Sequence, residues 1–329
     1  MTSKTQALIV GGLLAALAAG CSAGQPAQSG LTEIRLPMGF VPNVQYAPFY
    51  VAEARGYFDE AGIDITFDYS SETDGVALVG SGELPFTLAS GEQVLLARQQ
   101  GAPVVYVFTW WQDYPVAVAA PADLGLQTPA DLAGLTIGLP GRYGASYIGL
   151  RALLSDASLT EDDVQLESIG FNQVEALATG QVQAAVVYAN NEPIQLRAQG
   201  LAIDLLRVSD YVELASNGLV TNEATIEDRP DLVRRMVAAV ARGVQDTIDD
   251  PEAAFEVSKG FIEGLEEADR QIQMEVLTTS IAFWRAPRLG ESNPAAWANM
   301  QQLLLDMQML AEDQPLSAAF TNQFLPELP

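Results

Sequence analysis

From Thr32 onward, short apolar runs rich in β-branched residues alternate with longer helix-like stretches, and that alternation restricts the chain to an α/β architecture. Ile34–Leu36 and Ile63–Tyr69 read as strands. Between them Ala47–Tyr57 reads as a helix, with Pro48 near its start and Gly56 near its end. Phe86–Ala89 is a short strand that runs into a helix over Ser90–Gln100, with Ser90 as N-cap and Gly101 just past the end. Val104–Thr109 and Val116–Ala120 are apolar enough for buried strands. The pattern predicts mostly parallel sheets.

The alternation restarts at Gln127. Thr128 caps a short helix that has Pro129 at its first position. Thr136–Leu139, Gln165–Ile169, Ala184–Tyr188 and Ala202–Leu206 read as strands, and Tyr147–Leu154, Asn172–Thr179 and Glu192–Ala198 as helices. Leu219–Asn222 is the last strand, after which helical periodicity dominates. In Pro230–Asp246, Leu232, Val233, Met236, Val237, Val240 and Val244 share one face. Two α/β units and a helical tail predict two lobes, the first from residues 32–119 and 217–329 and the second from 120–216. In open α/β sheets ligands lie beyond the C-terminal strand ends, so a cleft between the lobes is the expected site.

Composition narrows the chemistry. The 329 residues contain no histidine and one cysteine, which removes His-based triads, His-ligated zinc and any intrachain disulfide. A formal charge of -26 repels phosphate backbones, so nucleic acid is not expected as a partner. No metal site and no cofactor are expected, and the chain reads as a monomeric binding protein rather than an enzyme. Glu72 and Asp74 read as solvated loop carboxylates, not as a hydrolytic pair.

The N-terminus reads as an export signal. Lys4 precedes the apolar run Ala7–Ala19, too short for a bilayer span of ~20 residues but suited to a signal peptide. It ends in Leu17-Ala18-Ala19-Gly20-Cys21, which resembles a bacterial lipoprotein signal, although Ala18 stands where Leu, Val or Ile is usual. Residues 1–20 are then the signal, Cys21 the lipidated residue and 21–31 a flexible tether. The expected location is the extracytoplasmic face of the cell membrane, held by lipid. A buried structural cysteine behind an ordinary export signal is the other reading.

The segment Met38-Gly39-Phe40-Val41-Pro42-Asn43-Val44-Gln45-Tyr46-Ala47-Pro48-Phe49-Tyr50-Val51-Ala52, followed by Gly56-Tyr57-Phe58-Asp59-Glu60-Ala61-Gly62-Ile63, resembles the opening of the NMT1/THI5-like solute-binding proteins. Asp131-Leu132-Ala133-Gly134 and Asp228-Arg229-Pro230-Asp231 extend the resemblance over most of the chain. It implies a two-lobed, periplasmic-binding-protein-like (type II) fold serving an ABC permease and its ATPase. Ser71–Gly75, Ser90-Gly91-Glu92-Gln93 and Trp110-Trp111 are most similar to the riboflavin-binding lipoproteins of that group, which implies riboflavin as ligand. A thiamine pyrimidine precursor (hydroxymethylpyrimidine or formylaminopyrimidine) is the alternative, and a sulfonate a third. Some members make the thiamine pyrimidine and are expected to consume a histidine in doing so, which this chain lacks.

The candidate ligand contacts follow strand ends. Asn43, Gln45 and Tyr46 could bond a heterocycle edge, or Asn43 could serve a turn. Ser90 opens a helix and could meet a ligand oxygen as well as cap. Tyr106, Trp110, Trp111 and Tyr114 offer rings for stacking or for the core, with Trp110 the tryptophan expected in the cleft and the other in the core. Around Gly141–Ser146, Ser146 is the expected contact, while Arg142 either grips an anion or pairs with an acid. Tyr188, Asn190 and Glu192 complete the set, Glu192 as an acceptor for N–H or O–H groups or as a helix-start charge.

Overall fold

The computed structural model describes residues 30–327. The expected signal, Cys21 and tether residues 22–29 lie outside the described residues. In chain order the strands are β1 (Thr32–Gly39), β2 (Ile63–Ser71), β3 (Thr87–Ser90), β4 (Val104–Thr109), β5 (Val116–Pro121), β6 (Thr136–Leu139), β7 (Gln165–Ser168), β8 (Ala184–Tyr188), β9 (Ile203–Arg207) and β10 (Asn217–Asn222).

β1 and β2 pair in parallel, with Ile34 opposite Ile65 and Leu36 opposite Phe67. β3, β10 and β4 form a three-stranded sheet in that order, and β7-β6-β8-β5-β9 form a five-stranded sheet. The expectation of mostly parallel sheets needs correcting. β10 runs antiparallel to both neighbours, and so does β5. These two strands carry the chain between the sheets. They connect directly rather than through a crossover helix, so nothing forces them parallel.

All of β5, from Val116, is hydrogen-bonded in the five-stranded sheet. The chain therefore changes sheets between Thr109 and Val116, and a boundary at 119/120 falls inside a strand. It returns between Arg207 and Asn217.

The long helix Pro230–Asp249 buries the expected stripe, Leu232, Val233, Met236, Val237, Val240 and Val244, and packs on the helix Ala47–Ala54. Each such side chain contributes ~1.5–3 kcal/mol of transfer free energy, enough to anchor the C-terminal third of the chain to the helix Ala47–Ala54. Two helices begin differently from expectation. Gly144–Asp156 starts three residues before Tyr147, which puts Ser146 in its first turn. Glu72–Gly80, read from sequence as a loop, is helical, and Ser71 Oγ caps it by accepting from Asp74 N–H at 3.2 Å. Gly75 masks this helix because it lowers helix propensity. It is needed there, since a Cβ would stand 2.2 Å from Thr87 Oγ1 and 2.9 Å from Pro37 Cβ.

Candidate functional site

A cavity of about 260 Å³ opens where the C-terminal ends of the parallel strands β1 and β2 meet those of β6, β7 and β8. Met38 and Gly39 reach it from β1, Tyr69, Ser70 and Ser71 from β2, and Trp110 and Trp111 from just beyond β4. Pro140, Phe171 and Tyr188 reach it from the ends of β6, β7 and β8, and Gly144, Ala145 and Ser146 from the first turn of the following helix. Its size is just below the ~300–1,000 Å³ usual for small-molecule sites.

Aromatic side chains set its shape. The Tyr46 and Trp110 rings lie 5.3 Å apart at 30°, and Phe49 meets Trp110 edge-on at 5.1 Å. Trp284 backs both Trp110 and Trp111 at 5.9 Å. Each such pair adds ~0.5–1.5 kcal/mol and holds its partner in one orientation. Trp110 lines the cavity as expected, and Trp111 does so too while being fully buried in the core. After Thr109 strand alternation ends. The N–H groups of Trp110 and Trp111 both donate to the Asn217 carbonyl, at 3.1 and 3.0 Å, and the chain bends there. Phe40 and Phe171 meet edge-on at 4.8 Å across the mouth.

Among the described residues, three on the wall carry buried polar atoms with no partner: Gln45 Oε1, Ser70 Oγ and Trp110 Nε1. A ligand edge that satisfies them recovers ~1–3 kcal/mol per group. Tyr46 also lines the wall, but its hydroxyl is already used, donating to the Met38 carbonyl at 2.8 Å.

Two carboxylates line the cavity. Glu192 opens the helix Glu192–Ala198 and accepts from Tyr188 N–H at 2.9 Å. Burial pushes its pKa up, and the backbone donors oppose that rise. Glu72, read from sequence as solvated, instead turns into the cavity. It accepts from Ser90 Oγ at 2.7 Å and from Asn217 Nδ2 at 2.8 Å, and burial raises its pKa. Asp74 is exposed and bonded to Ser71. Asn217 Oδ1 in turn accepts from the Tyr188 hydroxyl at 3.2 Å, which joins β10 to β8 of the other sheet.

Of the sequence candidates, Tyr46, Trp110, Ser146, Tyr188 and Glu192 line the cavity; Asn43, Ser90 and Asn190 do not. Asn43 serves the turn, its side chain accepting from Gln45 N–H at 3.0 Å. Ser90 is fully buried beneath the floor and makes no side-chain cap, because its hydroxyl is committed to Glu72 and Glu92. Asn190 is fully buried and donates to Ser280 Oγ at 2.8 Å. Tyr106 and Tyr114 stay in the core, donating to the Ser216 and Ala145 carbonyls. Arg142 pairs with Glu161 at 2.6 Å and is absent from the wall.

The wall also includes Glu72, Tyr69, Gln93, Asn191 and Asn217, which the sequence reading did not nominate. For Glu72 the available signal was Ser71-x-x-Asp74, a capping pattern that starts a helix at the cavity edge.

Residues 43–254 match the family model described as NMT1/THI5 like. The chain belongs to the NMT1/THI5-like family. It is 37% identical to the riboflavin-binding protein RibY of Chloroflexus aurantiacus, over 98% of each chain. It is 29% identical to the formylaminopyrimidine-binding protein of Halalkalibacterium halodurans, over 77% of each. The fold matches the alkanesulfonate-binding protein SsuA from Xanthomonas axonopodis pv. citri, solved bound to MOPS, with TM-score 0.71 at 16% identity, covering 89% of this chain and 99% of that one. This NMT1/THI5-like chain thus has the two-lobed type II architecture of solute-binding proteins.

Proposed function

We propose that this protein is an extracytoplasmic solute-binding lipoprotein that captures riboflavin and delivers it to an ABC permease. The observation that carries this reading is the chemistry of the cavity wall. Tyr46, Tyr69, Trp110, Trp111 and Tyr188 give flat apolar surface, Glu72, Glu192, Gln45 and Asn217 give polar contacts, and among the described residues no Arg or Lys lines it. Such a wall suits a flat, uncharged heterocycle with hydrogen-bonding edges. A sulfonate would face two carboxylates with no cation, which disfavours it. The 37% identity to a protein named for riboflavin binding supports the same ligand.

The mechanism is capture without bond chemistry. The ligand binds more tightly to the arrangement in which the five-stranded sheet and the two smaller sheets all contribute wall, and that difference drives closure. The Phe40–Phe171 contact and the Tyr188–Asn217 hydrogen bond are among the protein contacts that join the two sides of the cavity. Cys21 would carry the lipid and residues 22–31 the tether.

A second reading is a thiamine pyrimidine precursor, which a cavity of about 260 Å³ suits by size and to which the formylaminopyrimidine-binding relative points. A thermal-shift panel of riboflavin, formylaminopyrimidine, hydroxymethylpyrimidine and an alkanesulfonate on residues 22–329 tests both. The proposal expects the largest rise in Tm from riboflavin. A rise from a pyrimidine alone would replace it with the second reading.

A further inference from the structure

Beneath the cavity floor, the hydroxyl of Ser90 sits between two carboxyl groups. Its Oγ is 2.7 Å from Glu72 Oε2 and within hydrogen-bond distance of Glu92 Oε1. Ser90 N–H also reaches Glu72 Oε2 at 3.3 Å, and Asn217 Nδ2 donates to Glu72 Oε1. Glu72 lines the cavity, whereas Ser90 and Glu92 are fully buried.

A serine hydroxyl has one proton and can donate to only one carboxylate. The second contact is a hydrogen bond only if the other carboxyl is protonated and donates to Oγ. The donors show which one that is. Glu72 receives Ser90 Oγ–H, Ser90 N–H and Asn217 Nδ2–H, while Glu92 Oε2 has no partner. The ionised group is therefore Glu72 and the neutral acid Glu92. Burial, and next the charge on Glu72, push the Glu92 pKa up to about 8.

The titratable groups facing the pair are tyrosines: Tyr46 feels Glu72, and Tyr106, Tyr114 and Tyr188 feel both carboxyls. Among the described residues no ion pair includes Glu72 or Glu92.

We propose that Glu72, Ser90 and Glu92 share one proton, and that its position makes Glu72 either an acceptor or a donor toward the ligand's polar edge. With the proton on Glu92, Glu72 is a carboxylate and accepts an N–H. For a carbonyl edge, the Glu92 O–H bond breaks as Ser90 Oγ takes that proton. The Ser90 proton passes to Glu72 Oε2; Ser90 Oγ–H then turns to Glu92, and the Glu72 O–H turns from Ser90 Oγ to the ligand carbonyl, to which it donates. One proton enters Ser90 and one leaves, so the triad keeps a charge of -1 throughout. The ligand class this suits is a neutral heterocycle whose edge alternates N–H and C=O, an imide or lactam. Gln45 Oε1 and Trp110 Nε1, buried at the same wall without partners, are the fixed acceptor and donor beside the adjustable one.

This inference rests on the cavity being the ligand site. Two measurements test it, one of them without ligand. Infrared titration of the unliganded protein should show a protonated-carboxyl C=O band at neutral pH that Glu92→Gln removes. A riboflavin carbonyl edge needs the proton on Glu72, so riboflavin affinity of the wild type should fall about tenfold or more from about pH 7 to about pH 9, as the proton is lost, and Glu92→Gln should abolish most of that fall. Absence of the band, or the same affinity profile in both proteins, overturns the proposal. Should Glu92→Gln not fold, Ser90→Ala is the second variant. It must move the pH midpoint of the band, and an unmoved midpoint overturns the shared proton. Failure of riboflavin to bind at any pH would refute the ligand reading instead, and the band would still decide for or against the proton.

Discussion

Replacing Glu92 with Gln should change how stability depends on pH, and the structure sets both sign and size. Glu92 is fully buried and its pKa is pushed from the ordinary 4.5 to about 8, first by burial and second by Glu72. A carboxyl raised in the folded state binds its proton more tightly there than in the unfolded chain. Its contribution is fully present below about pH 4.5 and is lost as pH rises through about 8. At ~1.36 kcal/mol per pH unit, the loss is a few kcal/mol and at most about 5. Gln fills the same volume, can donate to Ser90 Oγ and does not titrate. The urea midpoints of wild type and Glu92→Gln, compared across this pH range, should therefore diverge with rising pH in favour of the variant. Titrations at distant sites cancel in the difference, since such sites are near additive, and Glu72, which shares Ser90 with Glu92, is the one whose titration also changes. A gap that stays constant with pH would refute the reasoning.

Three further substitutions separate wall from scaffold. Trp110→Phe keeps most of the packing against Tyr46 and Phe49 but deletes the unpartnered Nε1, so riboflavin affinity should drop about tenfold, measured by calorimetry, if that N–H serves the ligand. Gly39→Ala places a Cβ 2.7 Å from Glu72 Cγ at a residue with φ of +84°, so it should lower Tm and weaken riboflavin binding together, by displacing Glu72. Asn43→Ala removes the side-chain cap of the turn at Val44–Tyr46 and should cost ~1 kcal/mol in urea unfolding, with affinity changed by less than about twofold.

Much of this fold was legible because its elements are locally consistent. Glu192–Ala198 and Ala184–Tyr188 were read at their observed bounds, since Pro193 and the apolar run mark them clearly. Sheet direction was not legible, because nothing in the residues of β5 or β10 distinguishes an antiparallel crossing strand from a parallel one. In the site, sequence could place Tyr46, Trp110, Ser146, Tyr188 and Glu192 at strand ends, where loops face the cleft. It could not tell which way a polar residue at a strand end turns. Ser90 and Asn190 turn inward to buried partners, and Asn43 turns to its own backbone. Glu72 was missed because its helix is weakened by Gly75. Asn217 was missed because its role depends on Glu72 and Tyr188, far away in sequence.

The central claim is that the aromatic-walled cavity holds riboflavin. The most direct test is a fluorescence titration of riboflavin with residues 22–329. The account predicts saturable quenching at micromolar concentration or below, as the flavin stacks against Trp110 or its neighbours, and weaker quenching with Trp110→Phe. Unchanged flavin fluorescence at a protein concentration well above micromolar would contradict it.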